Sequence, residues 1–331
     1  MTTTRHWTCS RLRSKVRLSP HPGRERFGAR LVTPSPVEAT VLRVAPLIFL
    51  LFWSGGYSAG KIGVSYTHPM TLLVVRYGVV LLLLAPLLLW KRPPLPAGRA
   101  QWVHLAVVGV LIQGCYFSLS YVALSSDISS AAVAMIISLQ PILVALVAPR
   151  FAGEEVTRRT WTGLGLGLLG TALVIMARSQ VEAISTIGVA AAFAALAFIT
   201  TGTLYEKRYG VGHHPVTANV VQYAAGLGVA LPFALLREDL HVQWTAPFVL
   251  ALTYLVICNS LIAMTLLLLM IRHGAVSRVS ALFFLVPPLA AVIGWLVLDE
   301  AMPPLAWVGL ALAAAGVALA SGISGIPRLR R

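Results

Sequence analysis

From residue 44 onward the chain alternates long apolar blocks with short polar connections. Blocks of about 18–25 apolar residues are long enough to cross a bilayer core of roughly 30 Å as helices. Ten fall at 44–64, 70–90, 102–124, 128–149, 161–178, 185–205, 216–236, 247–271, 275–298 and 303–323. Buried helices of a soluble protein would show a charged face, and most of these blocks do not. The pattern predicts an all-α polytopic membrane protein with ten transmembrane helices. Residues 1–43 are rich in Arg, Ser and Pro and hold no apolar run. They are expected to form a disordered basic tail rather than a signal peptide.

The blocks repeat. At a constant offset of 146 residues, Lys61 matches Lys207, His68-Pro69 matches His214-Pro215, and Tyr77 matches Tyr223. Pro86 matches Pro232, Pro141 matches Pro287, Glu154 matches Glu300, and Trp161-x-Gly163 matches Trp307-x-Gly309. The halves are 44–178 and 185–324, with five spans each. An odd number of spans sends the second half into the membrane from the opposite side. The expected architecture is therefore two inverted five-helix repeats, an arrangement typical of transporters with a substrate site between the halves.

Composition supports the membrane reading. The chain is 57% hydrophobic and 11% charged, against about 25% charged in soluble domains. The net charge of +15 is carried mainly by the N-terminal segment and alternate loops. That one-sidedness is a topology signal, not a nucleic-acid surface, and it predicts both termini cytoplasmic. The preponderance of Arg over Lys, with much Ala and Gly, points to a bacterial source and hence an inner-membrane location. The bilayer and a small-molecule substrate are the expected partners, with a homodimer as a candidate assembly. Three scattered cysteines imply neither a disulfide framework nor a metal site. No cofactor and no catalytic group is expected. A P-loop pattern is lacking, and every Asp and Glu falls outside the ten spans. A membrane-embedded carboxylate for proton coupling is therefore not expected.

Candidate binding residues are the polar exceptions within the spans. Trp53, Tyr57 and Lys61 recur at i, i+4, i+8 on one face of the first helix, beside Gly56-x-x-x-Gly60. Arg76 lies about 10 Å into the second helix, by the rise of 1.5 Å per residue. An intramembrane Arg faces a cavity or a partner. Tyr77 and its mate Tyr223, and Gln222 as the mate of Arg76, join the set. Gln113, Tyr116, Phe117 and Ser120 form a stripe on the third helix, with Asn259 as the mate of Gln113. Gln140 precedes Pro141, which leaves a carbonyl free one turn earlier. The rival reading of each is structural: snorkelling, kinking or interhelix bonding. The glycines at 163, 167, 170, 309 and 316 read as packing grooves, and Glu154 and Glu300 as capping groups.

The segments SSAAVAMIISLQPILVALVAPRFAGEEVTRRTWTGLGLGLLGTALVI and GAVSRVSALFFLVPPLAAVIGWLVLDEAMPPLAWVGLALAAAGVALA share a Pro in the fourth helix. Each continues with an acidic residue at its end, Trp-x-Gly and a Gly-rich fifth helix. Together with FLLFWSGGYSAGKIG and Arg76, they resemble the repeats of EamA-type permeases in the drug/metabolite transporter superfamily. The resemblance covers about residues 44–324 and implies a ten-helix metabolite permease, often an exporter of amino acids or related compounds. The expected function is a secondary transporter, exporter or exchanger, of a small polar metabolite by alternating access. A passive channel, or a membrane enzyme or lipid-handling protein, is the alternative.

Overall fold

A computed structural model of the chain describes residues 36–126, 130–178, 185–210, 214–298 and 303–321. The first half contains α1 (Pro36–Val64), α2 (Pro69–Lys91) and α3 (Arg99–Ser125). It continues with α4 (Ser130–Ile137 and Gln140–Phe151) and α5 (Arg158–Arg178). The second half contains α6 (Thr186–Tyr209), α7 (Pro215–Arg237) and α8 (Ala246–His273). It closes with α9 (Val276–Ser280, Ala281–Leu285, Val286–Leu298) and α10 (Pro304–Ser321). Among the described residues nine helices are long and apolar enough to cross a membrane. The 21-residue α5 stands beside them as the fifth rod in chain order. The protein is thus a polytopic all-α membrane protein. The helix α1 starts at Pro36, within the segment expected to be a tail. Residues 1–35, Asp127, Asp299 and Glu300 lie outside the described residues.

The repeat is visible in how helices depart from regularity. α3 widens to π-helix over Gly109–Tyr116, and α8 does so over Leu255–Ala263, the same register plus 146. A wide turn leaves a carbonyl without its helical partner. The Tyr77 hydroxyl donates to Gln113 O at 2.6 Å, and its mate Tyr223 donates to Ser260 O at 2.8 Å. The fourth helix of each half breaks ahead of its matched proline. α4 is interrupted between Ile137 and Gln140, and α9 tightens to 3₁₀ over Ala281–Leu285. Pro288 has no N–H for the Phe284 carbonyl, and Thr171 of α5 donates to it at 2.8 Å instead.

Small residues decide which helices meet. α5 and α10 lie along one another within the chain. A Cβ on Gly163, Gly170, Gly309 or Gly316 would strike the backbone of the facing helix. The glycine grooves are therefore filled by the partner half. α2 packs on α7, with the Tyr77 and Tyr223 rings 5.4 Å apart.

Both ends of the bundle carry ties between the halves. At the end where α1 finishes, Glu238 accepts from the N–H groups of Met70 (3.0 Å) and Thr71 (2.7 Å) and from the Thr71 hydroxyl (2.8 Å). Thr67 donates to His241 O, and the Gln243 N–H donates to Tyr66 O. At the opposite end, where α6 finishes, Glu154 accepts from the N–H groups of Val276 (2.6 Å) and Ser277 (3.2 Å) and from the Ser277 hydroxyl (2.9 Å). Arg208 donates to Phe151 O and Thr217 to Pro94 O at that end. A carboxylate on the exposed amides of a helix start is favoured by both hydrogen bonding and the helix dipole.

Candidate functional site

Helices α1, α3 and α8 line a partly open cavity of about 20 Å³, room for one or two water-sized spheres. Its walls include Trp53, Gly56, Tyr57, Tyr116, Phe117, Ser120, Tyr121, Leu124 and Asn259. The glycine pair on α1 makes this junction. A Cβ on Gly56 would collide with Asn259 Nδ2, and one on Gly60 would press on the Tyr121 ring. Trp53 lies nearly parallel to Tyr116, with planes 11° apart and centroids 6.3 Å apart, and Phe117 closes the wall 6.1 Å from Trp53. Behind Trp53, Phe49 and Phe283 stand 5.2 and 5.5 Å from it. The hydroxyls of Tyr57 and Tyr116 are 3.3 Å apart.

Arg76 stands one layer behind this cavity. Its side chain is wholly buried. Its Nε donates to Ser260 Oγ at 2.7 Å, Nη1 to the Tyr121 hydroxyl at 2.6 Å, and Nη2 to Asn259 Oδ1 at 2.7 Å. Its Cζ sits 4.5 Å from the centre of the Phe117 ring, a cation–π contact. All three hydrogen-bond acceptors are neutral. A single guanidinium charge is therefore held in the core by dipoles and an aromatic face.

The consequence for the cavity is chemical. The Tyr121 oxygen accepts from Arg76, so its own proton is left to donate. Asn259 presents Oδ1 to Arg76, which turns Nδ2 toward Gly56 and the cavity. Arg76 thereby polarises two donors that line the space. The lining thus combines two hydrogen-bond donors with aromatic walls.

The candidates from the sequence divide into three groups. Trp53, Tyr57, Tyr116 and Asn259 come together at the cavity, with Arg76 immediately behind. Tyr77, Tyr223, Gln113 and Gln222 are buried where α2, α3, α7 and α8 meet. There a Cβ on Gly109 would strike the Gln222 backbone, and one on Gly226 the Gln113 side chain. Lys61 and Gln140 lie outside the cavity wall. Lys61 donates to Leu124 O at 2.7 Å, and its mate Lys207 donates to Ile271 O at 3.2 Å. Both lysines thus cap the last turn of the third helix of their own half. Gln140 donates to Thr203 Oγ1 at 3.2 Å.

Tyr121 and Ser260 were not among the sequence candidates. Tyr121 lies four residues beyond Phe117 on the same helical face, a spacing the polar stripe could have included. Glu206 is the larger surprise. α6 runs to Tyr209, past the expected end at residue 205, and the Glu206 carboxylate is wholly buried. It pairs with Arg272 of α8 at 2.7 Å. Glu206 keeps the helix-end position expected of the acidic residues, in the last turn of α6, but it is buried there. Helix continuation carried it inward with the rest of α6.

Known proteins share this plan. The EamA-like transporter family matches the chain twice, over residues 44–176 and 186–322. The uncharacterized transporter YvbV of Bacillus subtilis is 25% identical over 285 residues, covering 86% of this chain and 92% of that protein. The inner membrane transporter YedA of Escherichia coli K12 is 23% identical, covering 84% and 91%. A probable terminal-alkyne amino-acid exporter of Streptantibioticus cattleyicolor is 28% identical over 190 residues, covering 56% and 62%. A solved crystal structure has the same fold, with a TM-score of 0.69 at 19% identity over 86% of this chain and 97% of that one.

Proposed function

The chain belongs to the EamA-like transporter family, and from that premise we propose that it is a secondary transporter, an exporter or exchanger, of a small polar metabolite. The substrate class is an amino acid or related compound with a hydrogen-bond-accepting group such as a carboxylate. The observation that carries this reading is Arg76: a buried charge with neutral partners, two of which line a cavity. In this reading the acceptor group of the substrate meets Tyr121 and Asn259. Trp53, Tyr57 and Tyr116 hold its body, and Arg76 supplies the field without touching it.

Transport proceeds by alternating access between inverted halves. The ties at the α1-finishing end hold one gate, and those at the α6-finishing end hold the other. Their presence at both ends supports a gated carrier over an open channel. Tyr77, Tyr223, Gln113 and Gln222 sit at the meeting of the four central helices, where the halves turn against each other. The one-sided distribution of Lys and Arg supports an orientation with the α6-finishing end and both termini in the cytoplasm.

A melting-shift screen across a metabolite library identifies the ligand, and counterflow in proteoliposomes tests the mechanism. Saturable counterflow of a carboxylate-bearing ligand is the expected result. Flux that neither saturates nor shows counterflow would replace the carrier with a channel.

A further inference from the structure

The short linker between α8 and α9 is held by three charged side chains. Lys207 donates to the carbonyls of Ile271 and Gly274. Glu154 accepts from the amides of Val276 and Ser277. Arg272, in the last turn of α8, donates from Nε to Glu206 Oε1 at 2.7 Å. The first half has only part of this. Lys61 reproduces the lysine contact at Leu124, but the mates of Glu206 and Arg272 are Gly60 and Ser126. The ion pair is an addition to one gate and not an element of the shared scaffold.

The pair is also unusual in its surroundings. The Glu206 carboxylate is completely buried, and its other oxygen, Oε2, has no hydrogen-bond partner. It lies so close over Gly210 that a Cβ there would collide with both oxygens. Arg272 continues into the wall of a small cavity of about 10 Å³ with Asn219 and Thr265. A buried ion pair contributes little net stability, and removal of one partner strands the other at a cost of several kcal/mol. Such a pair suits a switch: one proton on the carboxylate changes the energy of the whole contact.

The other titratable groups on the packed helices are engaged elsewhere. His104 of α3 bonds the Tyr205 hydroxyl and stacks on Tyr209. His273 of α8 bonds Leu269 O, and Arg208 caps Phe151 O. Tyr116 and Tyr121 of α3 belong to the substrate cavity, whose walls Cys115 does not join. Arg99, Arg150 and Arg278 are exposed. Arg272 is the charged side chain in contact with Glu206.

We propose that Glu206 is a proton-binding site that controls the gate at the α6-finishing end. A proton from the adjoining compartment adds to the carboxylate and makes it a neutral acid. The ion pair with Arg272 dissolves, and the α8–α9 linker, relieved of one of its three anchors, releases the gate. Loss of the proton restores the pair and closes it. Substrate movement through that gate is thereby tied to a proton. The inference rests on the alternating-access reading, but its test needs no substrate.

The test places spin labels at Lys91→Cys and Arg278→Cys, two exposed positions on opposite halves at this end, with Cys9, Cys115 and Cys258 replaced by Ala. Distances are measured by pulsed electron resonance in lipid nanodiscs at pH 8 and pH 5. The parent should gain a longer-distance population at pH 5. Glu206→Gln should show that population at both pH values. Glu206→Asp, which keeps the charge on a shorter arm, should move the midpoint of the transition. A parent distribution that is the same at both pH values overturns the proposal. So does a Glu206→Gln protein that still responds to pH, which would transfer the switch to His104 or His273, or a Glu206→Asp protein with an unmoved midpoint. Intact counterflow alongside any of these would leave the transporter reading standing.

Discussion

Asn259→Asp separates a structural from a functional role for Arg76, because the two roles predict different changes. Asn259 Oδ1 already sits 2.7 Å from Arg76 Nη2. A carboxylate oxygen in the same place turns a charge–dipole contact into an ion pair. At ~4 Å between charge centres and an effective dielectric of ~20, the attraction is roughly 4 kcal/mol. Desolvation of the new carboxylate offsets several kcal/mol of this. The two nearly cancel, so the melting temperature of purified protein, followed by tryptophan fluorescence, should change little. Substrate binding should collapse. The substitution removes the Nδ2 donor beside Gly56 and cancels the field of Arg76 at the cavity. A full charge ~6 Å from the bound acceptor at a dielectric of ~20 amounts to roughly 3 kcal/mol, on the order of 100-fold in Kd. The assay is the ligand-induced melting shift of Asn259→Asp beside the parent. Unchanged affinity in a stable protein would refute the assignment of Arg76 to substrate recognition. A melting temperature lowered as far as in Asn259→Leu would refute the charge bookkeeping at Arg76 itself.

Four further outcomes are expected. Tyr121→Phe keeps the ring but loses the hydroxyl between Arg76 and the cavity, so affinity should fall by roughly 1.5–3 kcal/mol, with folding retained on size-exclusion chromatography. Gly170→Val drives side-chain atoms into the backbone of α10 at Ala313 and Gly309 and should abolish the monodisperse peak, whereas Gly165→Ala, which meets nothing within 4 Å, should be tolerated. Thr171→Val strands the Phe284 carbonyl and should lower stability by about 1–3 kcal/mol in denaturant titration. The carboxyl of Asp239, in the loop after α7, is held below its usual range, chiefly by the His241 N–H and then by the neighbouring imidazoles of His68 and His241. Its contribution is present above the ordinary carboxylate pKa and is lost as pH falls through the depressed value. Asp239→Asn should lower the melting temperature slightly near neutrality and converge with the parent at acid pH, flattening the acid limb of the profile.

Much of the architecture was legible in the chain because membrane helices obey a local rule. Each needs a long apolar run so that its backbone is hydrogen-bonded internally in lipid, and such runs can be counted without knowing their neighbours. The offset of 146 residues was equally local information, and it paired Pro141 with Pro287, near which α4 and α9 depart from regular helix; the matching π-turns of α3 and α8 emerged only in the structure. Glycines 163, 170, 309 and 316 announced a close helix contact, although only the fold assigned it to α5 against α10 of one chain. The identity of partners was not local. Arg76 meets Ser260 and Asn259 across 184 and 183 residues and Tyr121 across 45. Nothing in the sequence of α2 names those helices. Lys61 aligned with Trp53 and Tyr57 on one face, yet its ammonium caps α3 at Leu124. Glu206 read as a helix-end charge at a water boundary. Its burial was decided by the extra turn of α6 and by Arg272 arriving from α8 to neutralise it. A sequence specifies the length, polarity and periodicity of each helix, because these depend on neighbours a few residues away. Which polar groups share a buried space depends on how ten rods pack, and that is a property of the tertiary structure alone.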